Sequence, residues 1–251
     1  MPKTLIYSNP NFKLEVDKKQ PHLIVAEMFG ETIQGEGVSS GVPSIFLRLK
    51  NCSLDCSWCD SASVWKFGNP YLISEILDIL EENDVVEDLR RGDHWVLTGG
   101  SPLLQQDSLF ILITGFKNRF GFKPFIEIEN ECVIEPSLSL TILVDQWNNS
   151  PKTANSDMRT RVRYKPDLLR KMSQLKNSWF KFVISKKEDW GEIEEMFLPF
   201  IERNQIILMP CGENQEQLNL TRELTVELAI EQGVRYSDRN HIIIWDRKTG
   251  V

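Results

Sequence analysis

The chain has 251 residues, 41% of them apolar, which is enough for one sizeable hydrophobic core. Its formal charge of −7, from 29 basic and 36 acidic side chains, argues against broad electrostatic binding to nucleic acid or an anionic membrane. Five unevenly spaced cysteines do not make a disulfide framework, the N-terminus has no apolar leader region, and no run of 18 apolar residues occurs, so the reading is a soluble, cytoplasmic protein.

The first local feature is Gln34-Gly35-Glu36-Gly37, a glycine-flanked polar turn. A strand is expected over 43–49 (PSIFLRL), and Arg48 sits inside it. A buried arginine needs a paired anion, so a carboxylate ligand gripped by two hydrogen bonds would suit it, with a surface ion pair as the alternative. Directly after this strand stand Cys52, Cys56 and Cys59, spaced C-x3-C-x2-C. A structural zinc site takes four protein ligands, and no second C-x-x-C pair is in view to complete one. Three thiolates on a four-iron cube instead leave one iron open for a cofactor or substrate. Cys132 and Cys211 are isolated and read as packing residues.

Further along, a helix at 72–82 leads to a strand at 94–98, which ends in Thr98-Gly99-Gly100-Ser101-Pro102. Paired glycines at a strand end let the backbone approach a ligand closely, although they also make a plain strand-to-helix turn. Helices are expected at 103–118, 166–174, 188–202 and 215–232, the last closed by Gly233, and strands at 124–129, 141–145, 179–184, 206–210 and 241–245. The polar stretch 146–165 is either a loop over the site or a surface excursion. His241 opens the last strand, where a lone histidine is more often structural. Alternating strands and helices give a parallel α/β fold. About six strands are too few for a closed eight-stranded barrel, so a partial, open β/α barrel follows. Without repeats or linkers, residues 1–251 read as one domain.

The cysteine run with Trp58 just before its last cysteine resembles the radical S-adenosylmethionine (SAM) superfamily. The QGEG run, the G-x-P-x-x-F-x-R-L run and the Cys59-Asp60 pair resemble, more narrowly, the 7-carboxy-7-deazaguanine synthases. The likeness is strongest over residues 27–61, with shorter echoes at 98–105, 150–152, 208–210 and 235–251. It implies a [4Fe-4S] cluster on Cys52, Cys56 and Cys59 within a loop at 50–61, and reductive cleavage of SAM to a 5′-deoxyadenosyl radical. The reaction implied is contraction of 6-carboxy-5,6,7,8-tetrahydropterin to 7-carboxy-7-deazaguanine, a step toward queuosine and other deazapurines.

By the same resemblance, SAM contacts fall on Trp58, Asp60, Gly99, Gly100, Ser101, Ser150-Pro151-Lys152, Met209 and Pro210. Ser101 stands where glutamate is usual, which removes a charge-assisted contact, and Glu129 at a neighbouring strand end is a candidate for supplying that charge instead. Substrate contacts are implied at Ile33, Gln34, Gly35, Glu36, Arg48, Thr98, His241 and Val251, with the segment 235–251 closing the substrate site. A magnesium ion is implied on Ser61, whose other reading is a cap for the turn after the cluster loop. A flavodoxin- or ferredoxin-type reductant and a homodimer are also implied, with no direct nucleic-acid or membrane partner. Two alternatives stand beside this reading. One is a radical SAM activase that installs a glycyl radical in a partner protein. The other is a zinc-stabilised binding module using the three cysteines and His94 or His241.

Overall fold

The computed structural model describes residues 2–9, 11, 16, 17 and 19–251. Its strands are β1 (Lys3–Tyr7), β2 (His22–Ile33), β3 (Pro43–Leu49), β4 (Asn69–Leu72), β5 (His94–Gly99), β6 (Phe125–Asn130), β7 (Gln146–Asn149), β8 (Ser178–Ile184), β9 (Ile206–Pro210) and β10 (Arg235–Tyr236). They form one sheet in the order β1-β2-β3-β5-β6-β7-β8-β9-β10, with β4 also paired to β2, along its first residues His22–Val25. From β3 to β10 every pairing is parallel, while β1, β2, β3 and β4 meet antiparallel. The six full parallel strands and the open ends match the partial barrel expected from the sequence.

Parallel strands are covered on both faces, so they read as apolar runs, and β9 (IILMP) is buried at every position. The covering helices turn an apolar stripe inward. Helix Ile73–Glu82 buries Ile73, Ile76, Leu77 and Leu80 at helical spacing. Helix Gln215–Gln232 starts on Asn214, whose side chain accepts from the Gln217 N–H, and stops at Gly233 in the left-handed region at φ 63°.

Three expectations are corrected. Residues 138–141 form a short helix capped by the Ser137 hydroxyl, not the start of a strand at 141–145, and the strand lies later, at Gln146–Asn149. Its three polar residues are all buried because their amides bond sideways across the sheet interior. Gln146 reaches Ser39 at 2.8 Å, Asn148 reaches Glu127 at 2.7 Å, and Asn149 reaches Ser178 at 2.8 Å. Second, the stretch 146–165 is therefore no surface excursion: after β7 it returns to the cysteine loop, where Ser57 N–H bonds to Ser156 O. Third, 241–245 is helical (Asn240–Trp245), despite its β-branched run. The chain folds back over the QGEG turn, with Asn240 N–H on Gly35 O, and only a helical turn then buries Ile242 while leaving Ile244 outside. The helix Val85–Arg91 and the antiparallel strands β1, β2 and β4 were not anticipated.

Candidate active site

In an open parallel sheet the C-terminal strand ends share one rim, and loops there collect the ligand-binding groups. Here β3 runs into the cysteine loop, β5 into Gly99-Gly100, β6 into Glu131, β7 into Ser150 and β9 into Cys211. Close packing fixes the loop: a side chain at Gly100 would lie 2.4 Å from both Asn51 O and Cys52 Cβ. The glycine pair is thus what lets the cysteine loop lie against β5.

One cavity at this rim gathers most of the residues singled out from the sequence. Cys52, Cys56, Cys59, Trp58, Asp60 and Ser61 line it from the cysteine loop. Thr98, Gly99, Gly100, Glu129, Ser150, Lys152 and Met209 line it from the strand ends. Ile33, Gln34, Gly35, Glu36 and Arg48 form the opposite wall, and His241 and Val251 close it from the C-terminal segment. Ser101, Pro151 and Pro210 are not among the lining residues.

The thiols have the setting an iron–sulfur cluster needs. Cys52 Sγ accepts from Leu54 N–H at 3.4 Å, and Cys59 Sγ accepts from Trp65 Nε1 at 3.4 Å, bonds that stabilise sulfur carrying negative charge. Burial raises the Cys52 thiol and pushes Cys56 up to about 11, so the thiolate form calls for a cationic partner. Among the described residues, the three ligand-type atoms gathered within 4.8 Å of one another belong to Glu36, Asp60 and His241. Cys132 is buried in the main core, and Cys211 packs beside Val183, Ile207 and Met209, as packing residues do.

The other wall is a charge network, most of which sequence reasoning missed. Lys181, buried in β8, donates to Glu129 at 2.6 Å and to Glu36 at 3.0 Å. Arg239 donates to Glu36 at 3.0 Å, to Gly212 O at 2.6 Å and to Asp60. Burial alone would raise the Glu36 and Asp60 carboxyls. The cations Lys181 and Arg239 hold Glu36 well below the usual carboxylate range, and Arg239 does the same for Asp60. Glu129 goes the other way, raised by burial and by the nearby Glu36 charge. The signal that might have found Lys181 is the one that found Arg48: a lone cation inside an apolar strand, here WFKFVI.

Arg48 is already paired inside the protein, since its Nε donates to the buried Glu27 at 2.8 Å. Arg48 also lines the cavity, and a guanidinium has further N–H donors beyond the one given to Glu27. The run Arg235–His241 grips the QGEG turn from outside. Gly37 N–H bonds to Ser237 Oγ at 2.8 Å, and a side chain at Gly35 would meet the His241 ring at 2.4 Å. His94, by contrast, stacks on Phe125, pairs with Glu127 and does not line the cavity.

A family profile described as "4Fe-4S single cluster domain" matches residues 33–132. The chain is 29% identical over 233 residues to a 7-carboxy-7-deazaguanine synthase of Pyrobaculum aerophilum, covering 92% of this chain and 98% of that one. It is 28% identical to the 7-carboxy-7-deazaguanine synthase of Halobacterium salinarum, covering 90% and 91%. Among solved structures, QueE from Escherichia coli shares the fold, with a TM-score of 0.63 at 22% identity over 88% of this chain and 95% of that one. Among the described residues no helix is long and apolar enough to cross a membrane.

Proposed function

We infer that this chain, a member of the 7-carboxy-7-deazaguanine synthase family of radical SAM enzymes, converts 6-carboxy-5,6,7,8-tetrahydropterin to 7-carboxy-7-deazaguanine with loss of ammonia. The observation that carries this reading is that the three thiols line the same cavity as Arg48, Glu36 and His241, which supports a cluster facing a polar substrate wall. When bound, the cluster supplies the single electron that cleavage of SAM requires.

The residues of this chain position and sequester. Cys52, Cys56 and Cys59 hold the cluster, while Trp58, Asp60, Gly99, Gly100, Ser150, Lys152 and Met209 surround the SAM side. On the substrate side, Arg48 presents its free guanidinium edge to the pterin carboxylate, and Ile33, Gln34, Gly35, Glu36 and Thr98 frame the ring. His241 and Val251 shut that end against water, so the segment 235–251 acts as the closure of a single domain. Ser61 would hold magnesium, since its hydroxyl is a hard oxygen on the cavity lining, and the ion would supply charge for substrate oxygens.

The reductant is a flavodoxin- or ferredoxin-type protein, and the compartment is the cytoplasm, whose reducing conditions suit free thiolates. A homodimer is part of the same reading, and the exposed apolar side chains Leu138 and Ile142, at and just after one short helix, are compatible with it. A zinc module loses His94, which is held by Glu127, and with His241 as ligand it gives no account of the polar wall around Arg48 and Glu36; nor does a glycyl-radical activase.

The test is anaerobic incubation of cluster-loaded protein with SAM, a reductant and the pterin. 7-Carboxy-7-deazaguanine should form, rise with added magnesium, and lose that dependence in Ser61→Ala. Cleavage of SAM without any deazaguanine product would refute the substrate assignment.

A further inference from the structure

A buried carboxylate oxygen without a partner is costly, and Glu131 has one at the cluster end of the cavity. The residue follows β6, is 4% exposed, and lines the cavity with the three cysteines and Gly99-Gly100. Its Oε1 accepts from Ser53 Oγ at 2.7 Å, but Oε2 is buried with no hydrogen-bond partner among the described residues. Lys152, the cation of this wall, is turned away: its ammonium donates to Ser150 O at 2.6 Å and to Ser150 Oγ at 2.7 Å.

Residue 101 cannot supply charge here, and its hydroxyl is otherwise engaged. Ser101 Oγ accepts from Ser53 N–H at 2.8 Å and lies 3.1 Å from Ser53 Oγ and 3.5 Å from Cys52 Sγ, fully buried behind the cavity wall. Glu129, the candidate named from the sequence for this role, is committed elsewhere, with Oε1 accepting from Gln34 at 3.2 Å and Oε2 from Lys181 at 2.6 Å. The polar chain Ser101–Ser53–Glu131 thus ends in one free anionic oxygen beside the cysteine loop. A ligand that relieves it must bring a cationic donor.

We propose that Glu131, and not residue 101 or Glu129, is the anionic acceptor for the α-ammonium group of SAM in this chain. The assignment rests on the radical SAM reading above. The carboxylate has moved from the strand end of β5 to that of β6, with Ser101 reduced to bracing the loop. The Ser53 hydrogen bond fixes the rotamer of Glu131, so its second oxygen is held ready for the ligand.

The experiment is equilibrium dialysis of anaerobic, cluster-loaded protein against labelled SAM and, separately, labelled 5′-methylthioadenosine, which keeps the adenosine but lacks the amino-acid part. Glu131→Gln keeps the shape and the Ser53 contact while removing the charge. It should weaken SAM binding on the order of tenfold and leave methylthioadenosine binding unchanged. Unchanged SAM binding in Glu131→Gln, an equal loss for both ligands, or loss of the cluster absorbance would each overturn the assignment, the last two by making Glu131 a support for the loop. Unaltered, cluster-loaded protein that binds no SAM would instead sink the enzyme reading, and this assignment with it.

Discussion

Cys52, Cys56 and Cys59 each present a half-buried thiol to one cavity, and each would hold one corner of the cube. Replacing any one with Ala should remove the brown iron absorbance and all SAM cleavage, whereas Cys132→Ala and Cys211→Ala should keep both. A fully loaded Cys56→Ala protein would contradict this assignment. Arg48 carries two roles that can be separated. Removing it strands the buried Glu27 carboxylate, so Arg48→Ala should lose ~3–5 kcal/mol of stability as well as pterin turnover. Combining it with Glu27→Gln removes the stranded charge. The double variant should recover stability in urea unfolding and still fail to turn over the pterin, and recovered turnover would reduce Arg48 to a structural ion pair.

Between β2 and β3 the QGEG turn is held by elements distant in sequence: Lys181 of β8 and Arg239 after β10 both end on Glu36. A carboxyl held below its ordinary value, about 4.3 for glutamate, contributes stability above that pH and loses it as pH falls through the lowered folded value. Cluster-free protein should therefore unfold at less urea at pH 4 than at pH 7. Glu36→Gln should be less stable at pH 7 and lose less on acidification, and equal losses in the two proteins would show that Glu36 is not held in this way. Elements of this kind were legible only in part. Arg48 stood out as a cation in an apolar strand, but β7 did not, since Gln146, Asn148 and Asn149 look like loop residues until their amides are seen to bond across the sheet. The run His241–Trp245 has strand propensity, yet its anchorage on Gly35 makes it a helix, because tertiary contact outweighs a propensity worth about 1 kcal/mol.

At the scale of the whole molecule, alternating apolar runs and amphipathic helices were enough to read the open parallel sheet, because strands covered on both faces leave an unbroken hydropathy signal. The antiparallel flank was hidden for a physical reason. In β2 the run is interrupted by Glu27, which pairs with Arg48, and by Glu31, which sits at φ 55° where the register with β3 shifts. The cysteine loop was legible from spacing, and the charged wall opposite it was not, since Lys181 and Arg239 reach Glu36, and Glu27 reaches Arg48, only through the fold.

With a cluster on the three thiols and the pterin at Arg48, as proposed, one cavity would join them by a single radical transfer. Incubating the anaerobic holoprotein with SAM, reductant and pterin deuterated at C6 tests this directly, by mass spectrometry of the 5′-deoxyadenosine released. Deuterium should appear in the 5′-deoxyadenosine as 7-carboxy-7-deazaguanine forms. Deoxyadenosine that stays free of deuterium while the labelled pterin is recovered unchanged would contradict it.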